Sequence, residues 1–269
     1  MLKRKLVKLS RQFRWSLPLR DAVPIHWHVG RPNFGDDLNP LFFSRVFDAS
    51  VCLSRNGHRE RILGMGSILH KSDARCHVVG SGLLDPSLAS SIAARSVLSL
   101  RGQLSADATG LAPEFLGDPA IFLPELFDVP AVKTHRYGYL PHHSESREIR
   151  GIIPKDWKWV DPSWSPLKVL ASIRSCENLL SRSLHGLICA DAFGVPNAWL
   201  RPTEGMEGGK FKFLDYYSTV SDPKQPLRLE AKDFQRSGKA IDFSISKYRF
   251  NSVDYLAAIR QLRITTKAS

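Results

Sequence analysis

ENLLSRSLHGLICADAFGVPNAWLRP, residues 177–202, reads as a strand, a helix and a second strand in one unit. ENLLSRS enters as an apolar strand. Leu184, Leu187, Ile188 and Ala192 then recur at helical spacing. Gly194 and Pro196 stop that helix, and NAWLRP resumes as a strand. Such an order belongs to a parallel sheet. The helix starts near Ser183, with Ser181 or Ser183 available as its N-cap, so His185 falls in the first turn. In an open α/β sheet, ligands bind outside the carboxyl ends of strands. The free amides and dipole of a helix start favour an anion there by about 0.3–1 kcal/mol. Phosphate or carboxylate is expected beside His185, and Gly186, lacking a side chain, lets a ligand or neighbouring backbone come close.

The rest of the chain repeats this grammar. VPIHWHVG is a short strand stopping at Gly30, followed by a turn-rich RPNFGDD and a helical LNPLFFSRVF. ERILGMGSIL and CHVVGSGLL are apolar runs that end in glycine turns. SVLSLRGQLSADATGL reads as strand, turn and helix, and FLGDPAIFLPEL as a strand ending in a Pro-bounded loop. Past a Pro-rich PELFDVPAVKT come the strands YGYLPHH and KWVDPS, the helix SPLKVLASIRSC and a closing amphipathic helix, DYLAAIRQLRI. The expected fold class is α/β, with two Rossmann-like α/β halves facing across a cleft in a GT-B-like manner. The expected divisions are a basic tail over 1–20, an N-terminal domain over 21–128 and a C-terminal domain over 129–269.

A chain of 269 residues can bury about three quarters of the surface its unfolded form exposes, so it needs no disulfide staples. Its four cysteines show no CxxC spacing, which argues against both a zinc ribbon and a disulfide framework. No apolar run reaches the roughly 18 residues that span a bilayer, and the N-terminus lacks the apolar core of a signal peptide. A cytoplasmic protein is expected.

The net charge of +12 belongs to the ends of the chain. Residues 1–20 hold seven Lys or Arg and no acid, and residues 224–269 hold ten against four. In MLKRKLVKLSRQFRW, Leu2, Leu6, Leu9 and Phe13 share one helical face among cations. This segment reads either as a helix on an anionic membrane surface, at the inner face of the cytoplasmic membrane, or as a solvated tail. Nucleic acid is not an expected partner, because the basic ends carry no binding motif and the middle is near neutral.

Anion-friendly residues recur at the other strand ends: Asn33 and Asp36 in NFGDD, Ser67 in GMGS, Arg101 in LRGQLS and His142 in LPHH. Each alone is weak. Their order resembles the polysaccharide pyruvyl transferase family, whose members carry N-x-GD, GSGS-like, RGxxS/T, GDPxxxxP, IPH-like and S-x-R-L-H-G segments. Here these stand as NFGDDLNP, GMGSIL, RGQLS, GDPAIFLP, YLPHH and SRSLHG, with KFLDYY resembling a following Lys-x-x-Asp-Tyr. The resemblance runs from about residue 24 to 220. One departure stands out: the family has arginine directly before Leu-His, whereas Ser183 occupies that place here and Arg182 comes one step earlier. Arg182 replaces the usual arginine only if the strand has already ended there, which makes Arg101 the firmer candidate.

The resemblance implies phosphoenolpyruvate as donor substrate, with no further cofactor, and a saccharide acceptor, free or lipid-linked, on which a cyclic pyruvate ketal is built. Such chemistry needs a proton donor and acceptor working near neutral pH, the range of histidine. His185 is assigned that role, with His142 as the second candidate. The donor's carboxylate and phosphate need cations, assigned to Arg101, Arg182 and Lys212 alongside Ser181, Ser183, Gly186 and Ser67. Asn33 and Asp36 are assigned to sugar hydroxyls or, alternatively, to a tight turn, and Asp118 to a turn. His26 and His28 lie on one strand face, but no third ligand has a zinc spacing, so no metal is expected. Cys189 reads as packing. The alternatives are a nucleotide-sugar glycosyltransferase and a non-catalytic glycan-binding protein on the same fold.

Overall fold

The computed structural model describes residues 2–16, 21–54, 59–90, 92–145, 149–229, 234 and 241–264. Residues 1 and 17–20 of the expected basic tail lie outside the described residues.

Two parallel sheets form the frame. The first has six strands, β1 (Val23–His26), β2 (Val51–Leu53), β3 (Arg61–Leu63), β4 (Cys76–Ser81), β5 (Ser96–Leu100) and β6 (Phe115–Leu116), in the order β2-β1-β3-β4-β5-β6. The second has four, β7 (His135–Leu140), β8 (Lys158–Trp159), β9 (Cys176–Ser181) and β10 (Asn197–Trp199), in the order β10-β9-β7-β8. The strands β3 and β4 are buried along their whole length, as expected where both faces of a parallel sheet are covered.

Among the described residues the helices are α1 (Leu2–Ser16), α2 (Phe34–Phe47), α3 (Gln103–Thr109), α4 (Leu123–Leu126), α5 (Ile149–Ile152), α6 (Pro166–Arg174), α7 (Leu184–Ala192), α8 (Phe211–Tyr217) and α9 (Ser252–Gln261). Among the described residues, no helix is long and apolar enough to cross a membrane.

Two local readings change. RPNFGDD is more than a turn, since α2 already begins at Phe34 with Asn33 as its N-cap. FLGDPAIFLPEL keeps only a two-residue strand, because the Asp118 Oδ1 carboxylate oxygen accepts from the Ala120 amide at 3.0 Å and Pro119 fits the first position of a 3-10 turn.

One apolar cluster runs from Ile25 to Ile259 and takes in Trp27, Phe34, Leu140, Leu187 and Trp199, so both sheets share a continuous core. Each large apolar side chain fully buried there contributes about 1.5–3 kcal/mol relative to exposure. The closing helix α9 reaches back to the first sheet. Its Tyr255 hydroxyl donates to the Gly117 carbonyl at 2.9 Å and lies 2.6 Å from Ser99 Oγ, with the ring stacked on Phe115.

Register decides where a site can form. Leu140 is level with Ser181, and Ser181 with Trp199, in the second sheet. In the first sheet His26 is level with Leu63, and Ser81 with Leu100. The loops leaving these carboxyl ends carry His28, Ser67, Leu84, His142 and Ser183, and all five line one cleft.

Candidate active site

The cleft encloses about 310 Å³, and five of the nine histidines in the chain line it: His28, His70, His142, His143 and His185. Two helix starts, those of α2 and α7, open onto it through Asn33 and Ser183. Ser183 is the N-cap of α7, and its hydroxyl accepts from the Gly186 amide at 3.3 Å. A cap of this kind is worth about 1 kcal/mol, and it fixes the turn from which His185 projects.

His185 has a carboxylate behind it. Its Nε2 stands 3.6 Å from Asp118 Oδ2, within ion-pair reach but long for a hydrogen bond. Among the described residues, neither buried atom has any hydrogen-bond partner. The other oxygen of Asp118 holds the Ala120 amide, so the carboxylate cannot swing away without uncapping that turn. The His185 side chain is 11% exposed, with Nε2 itself buried, and the ring lines the cleft. Its Nδ1 edge lies against Gly35 in the first turn of α2. A Cβ on Gly35 would come within 2.3 Å of Nδ1 and 2.9 Å of Cγ. The sequence assigned Asp118 to a turn; it makes the turn and faces His185 as well.

The lysine of KFLDYY comes to the same cleft from α8. Lys212 Nζ donates to the Glu207 carbonyl at 3.2 Å and lies 3.4 Å from His142 Nε2. Burial, reinforced by the Arg101 charge, lowers its pKa to about 8. Burial lowers the His142 pKa further, to about 3, with the Lys212 and His143 charges adding to it. At neutral pH this ring is an uncharged acceptor toward Lys212, with its Nδ1 2.7 Å from Ser144 Oγ. That arrangement suits orientation of the lysine and differs from the proton-handling role assigned to His142 from sequence. His143, unassigned from sequence, is also shifted down by burial, against the pull of Asp36.

Arg101 lies beneath the cleft instead of in it. It is fully buried, and its Nε donates to Asp215 Oδ2 at 2.9 Å. Its NH1 donates to Ser67 Oγ at 2.8 Å, and its NH2 to the Leu83 carbonyl at 2.7 Å. Asp215 in turn accepts from the Ser105 amide and hydroxyl at 2.8 and 2.6 Å. The guanidinium touches the cleft lining through Ser67, and its charge is felt by Lys212. Arg101 thus sits behind the cleft wall, holding Ser67 and the Leu83 carbonyl in place.

Arg182 is turned the other way. It pairs with Glu145, and its Nε donates to the Arg201 carbonyl at 3.0 Å. Glu145 also accepts from the Tyr139 hydroxyl at 2.8 Å and from the His142 amide at 3.2 Å. Arg182 thereby ties the loop that presents His142 to the chain at Arg201. Ser181 is buried, its hydroxyl donating to the Leu140 carbonyl at 3.1 Å and accepting from the Ser183 amide at 3.0 Å. Gly186 makes room for packing: a Cβ there would meet Leu140 Cδ2 at 2.5 Å and Ser181 Oγ at 2.7 Å. Cys189 is fully buried in α7.

Asn33 and Asp36 do line the cleft, joined by Asn33 Nδ2 donating to Asp36 Oδ2 at 2.7 Å. With His28 and His143 they also line an adjoining groove of about 270 Å³ that adds Arg31 and Ser144. His26 ends β1, its Nδ1 3.1 Å from the Ser54 carbonyl, and His28 lies beyond the strand. No group of three or more His, Cys, Asp or Glu among the described residues is placed to hold a metal ion.

The sequence model of the polysaccharide pyruvyl transferase family matches residues 48–203, more than half of the chain. The chain belongs to the polysaccharide pyruvyl transferase family. The matched stretch holds His185, Asp118, Arg101 and His142, while His28, Asn33, Asp36 and Lys212 complete the cleft from outside it. Among curated proteins, this pyruvyl transferase family member is 29% identical over 220 residues to the succinoglycan biosynthesis protein ExoV of Rhizobium meliloti, covering 77% of this chain and 67% of that one. It is 28% identical over 222 residues to an uncharacterized protein of Acanthamoeba polyphaga mimivirus, covering 74% and 75% respectively. No solved structure gives a significant match.

Proposed function

We propose that the chain is a pyruvyltransferase of exopolysaccharide synthesis that moves the pyruvyl group of phosphoenolpyruvate to two hydroxyls of a sugar, forming a pyruvate ketal. Family membership supports the reaction class, and the succinoglycan relative supports an exopolysaccharide acceptor, free or lipid-linked. The observation that carries the mechanism is the imidazole of His185, backed by the buried Asp118 carboxylate, in a cleft that also holds the Lys212 ammonium.

In this reading the donor's negative groups lie toward Lys212 and the start of α7. A charge-assisted hydrogen bond from the ammonium supplies about 1.5–3 kcal/mol. A proton on His185 Nε2 points at Asp118, which leaves Nδ1 facing Gly35 and the cleft. The methylene carbon of the donor takes a proton, and the adjacent carbon becomes electrophilic. A sugar hydroxyl attacks that carbon and gives up its proton. The phosphate ester bond to the same carbon then breaks, and the second hydroxyl closes the ring as its proton leaves with phosphate. His185 moves protons in this sequence, with Asp118 stabilising its cationic form. Positioned acid–base catalysis contributes about 100- to 10,000-fold. The acceptor lies in the adjoining groove, where Asn33 and Asp36 orient its hydroxyls.

The test is donor choice. Incubation with an exopolysaccharide-derived oligosaccharide and phosphoenolpyruvate should release phosphate and yield an oligosaccharide carrying pyruvate. Consumption of a sugar nucleotide instead, or saccharide binding with no turnover of either donor, overturns this function.

A further inference from the structure

The first helix leaves a surface that transfer does not use. Leu6, Leu9 and Phe13 follow one another by three and four residues, share one face of α1, and are 58%, 60% and 71% exposed. The opposite edge is fastened to the protein. Arg11 donates to the Gly30 carbonyl at 2.9 Å and pairs with Asp37. Gln12 donates to the Val29 carbonyl at 3.1 Å, and Trp15 meets Trp27 edge to face at 5.5 Å. These anchors turn the apolar stripe outward. Lys5 and Arg14 lie on either side of it at helical spacing, and the helix carries no acid.

We propose that α1 is an interfacial anchor that seats Leu6, Leu9 and Phe13 in an anionic lipid surface. An apolar stripe with a cationic border fits the boundary between acyl chains and anionic headgroups. A second copy of the helix fits poorly, since pairing the stripes would set cations against cations. The anchor also places the site. Gly30 and Asp37, which hold α1, adjoin Arg31, Asn33 and Asp36 of the groove. If that groove takes the acceptor, as proposed above, a sugar carried on a lipid is presented where it is needed; the lipid contact itself does not depend on that reading.

The full chain is cosedimented with vesicles of phosphatidylcholine alone or mixed with phosphatidylglycerol, and its mass is followed by light scattering. The intact protein is expected to sediment with the mixed vesicles and, with phosphatidylcholine alone, about tenfold less. Joint Leu9→Asp and Phe13→Asp substitution should remove binding while leaving the melting temperature and phosphate release with a soluble oligosaccharide unchanged. Protein that stays in solution, a substituted chain that binds as well as the original, or a dimer abolished by the same substitutions without vesicle binding each overturn the anchor. Loss of the anchor with turnover retained leaves the transferase reading standing, and vesicle binding without turnover does the reverse.

Discussion

His185 Nε2 and Asp118 Oδ2 face each other across 3.6 Å in a buried setting where neither atom has a hydrogen bond among the described residues. A few tenths of an ångström of closure turns that approach into a charge-assisted bond, as happens when a site tightens around its substrate. Asp118→Asn keeps an oxygen to cap Ala120, so the turn should survive. It removes the charge that stabilises a protonated imidazole. The expected result is a fall in kcat of about 100-fold or more with little change in donor KM and an unchanged melting temperature. Wild-type kcat in this variant removes Asp118 from the mechanism.

Gly35 has no side chain because the imidazole occupies that space. Alanine suits the helical backbone of α2, yet its Cβ would overlap His185 Nδ1, Cγ and Cβ, none of which is the loose end of a long side chain. Gly35→Ala should fold and displace the ring, costing about 100-fold in kcat. Full activity would mean that the ring position is not critical.

Lys212 sets a pH limit. Its pKa is lowered to about 8, so the ammonium prevails below that pH and is lost above it. Affinity for an anionic donor is therefore present below pH 8. Donor kcat/KM, which reports the free enzyme, should decline above pH 8 by up to about tenfold per pH unit. Lys212→Met should remove this limb and raise donor KM at pH 7. The neutral His142, by contrast, should add no limb between pH 5 and 8.

Arg101→Ala separates support from ligand binding. The substitution leaves Asp215 buried without its cation, and breaking a buried pair from one side costs about 3–5 kcal/mol. Urea denaturation should show that loss. Unchanged stability with donor KM selectively raised would return Arg101 to the donor.

The sequence carried most of the frame because each strand ended in a glycine or polar turn that broke its apolar run. His185 was legible from a single strand–helix junction, and Ser183 as its cap from the same residues. What stayed hidden depended on tertiary placement. Nothing in LRGQLS says that Arg101 will meet Asp215, 114 residues away in the chain. The one-residue shift at Arg182 signalled an unusual role, but its partner Glu145 comes from another loop. GDP spells a turn, but the letters do not show that its one carboxylate serves two neighbours. HH in LPHH offered two histidines, and only their burial beside Lys212 distinguishes what they do.

The most direct test of the central claim compares intact protein with His185→Ala, following phosphate released from phosphoenolpyruvate in the presence of an accepting oligosaccharide. The account predicts one phosphate per pyruvate ketal formed by the intact protein, and turnover reduced about 100-fold or more in a folded variant. Equal turnover by the two proteins would contradict it.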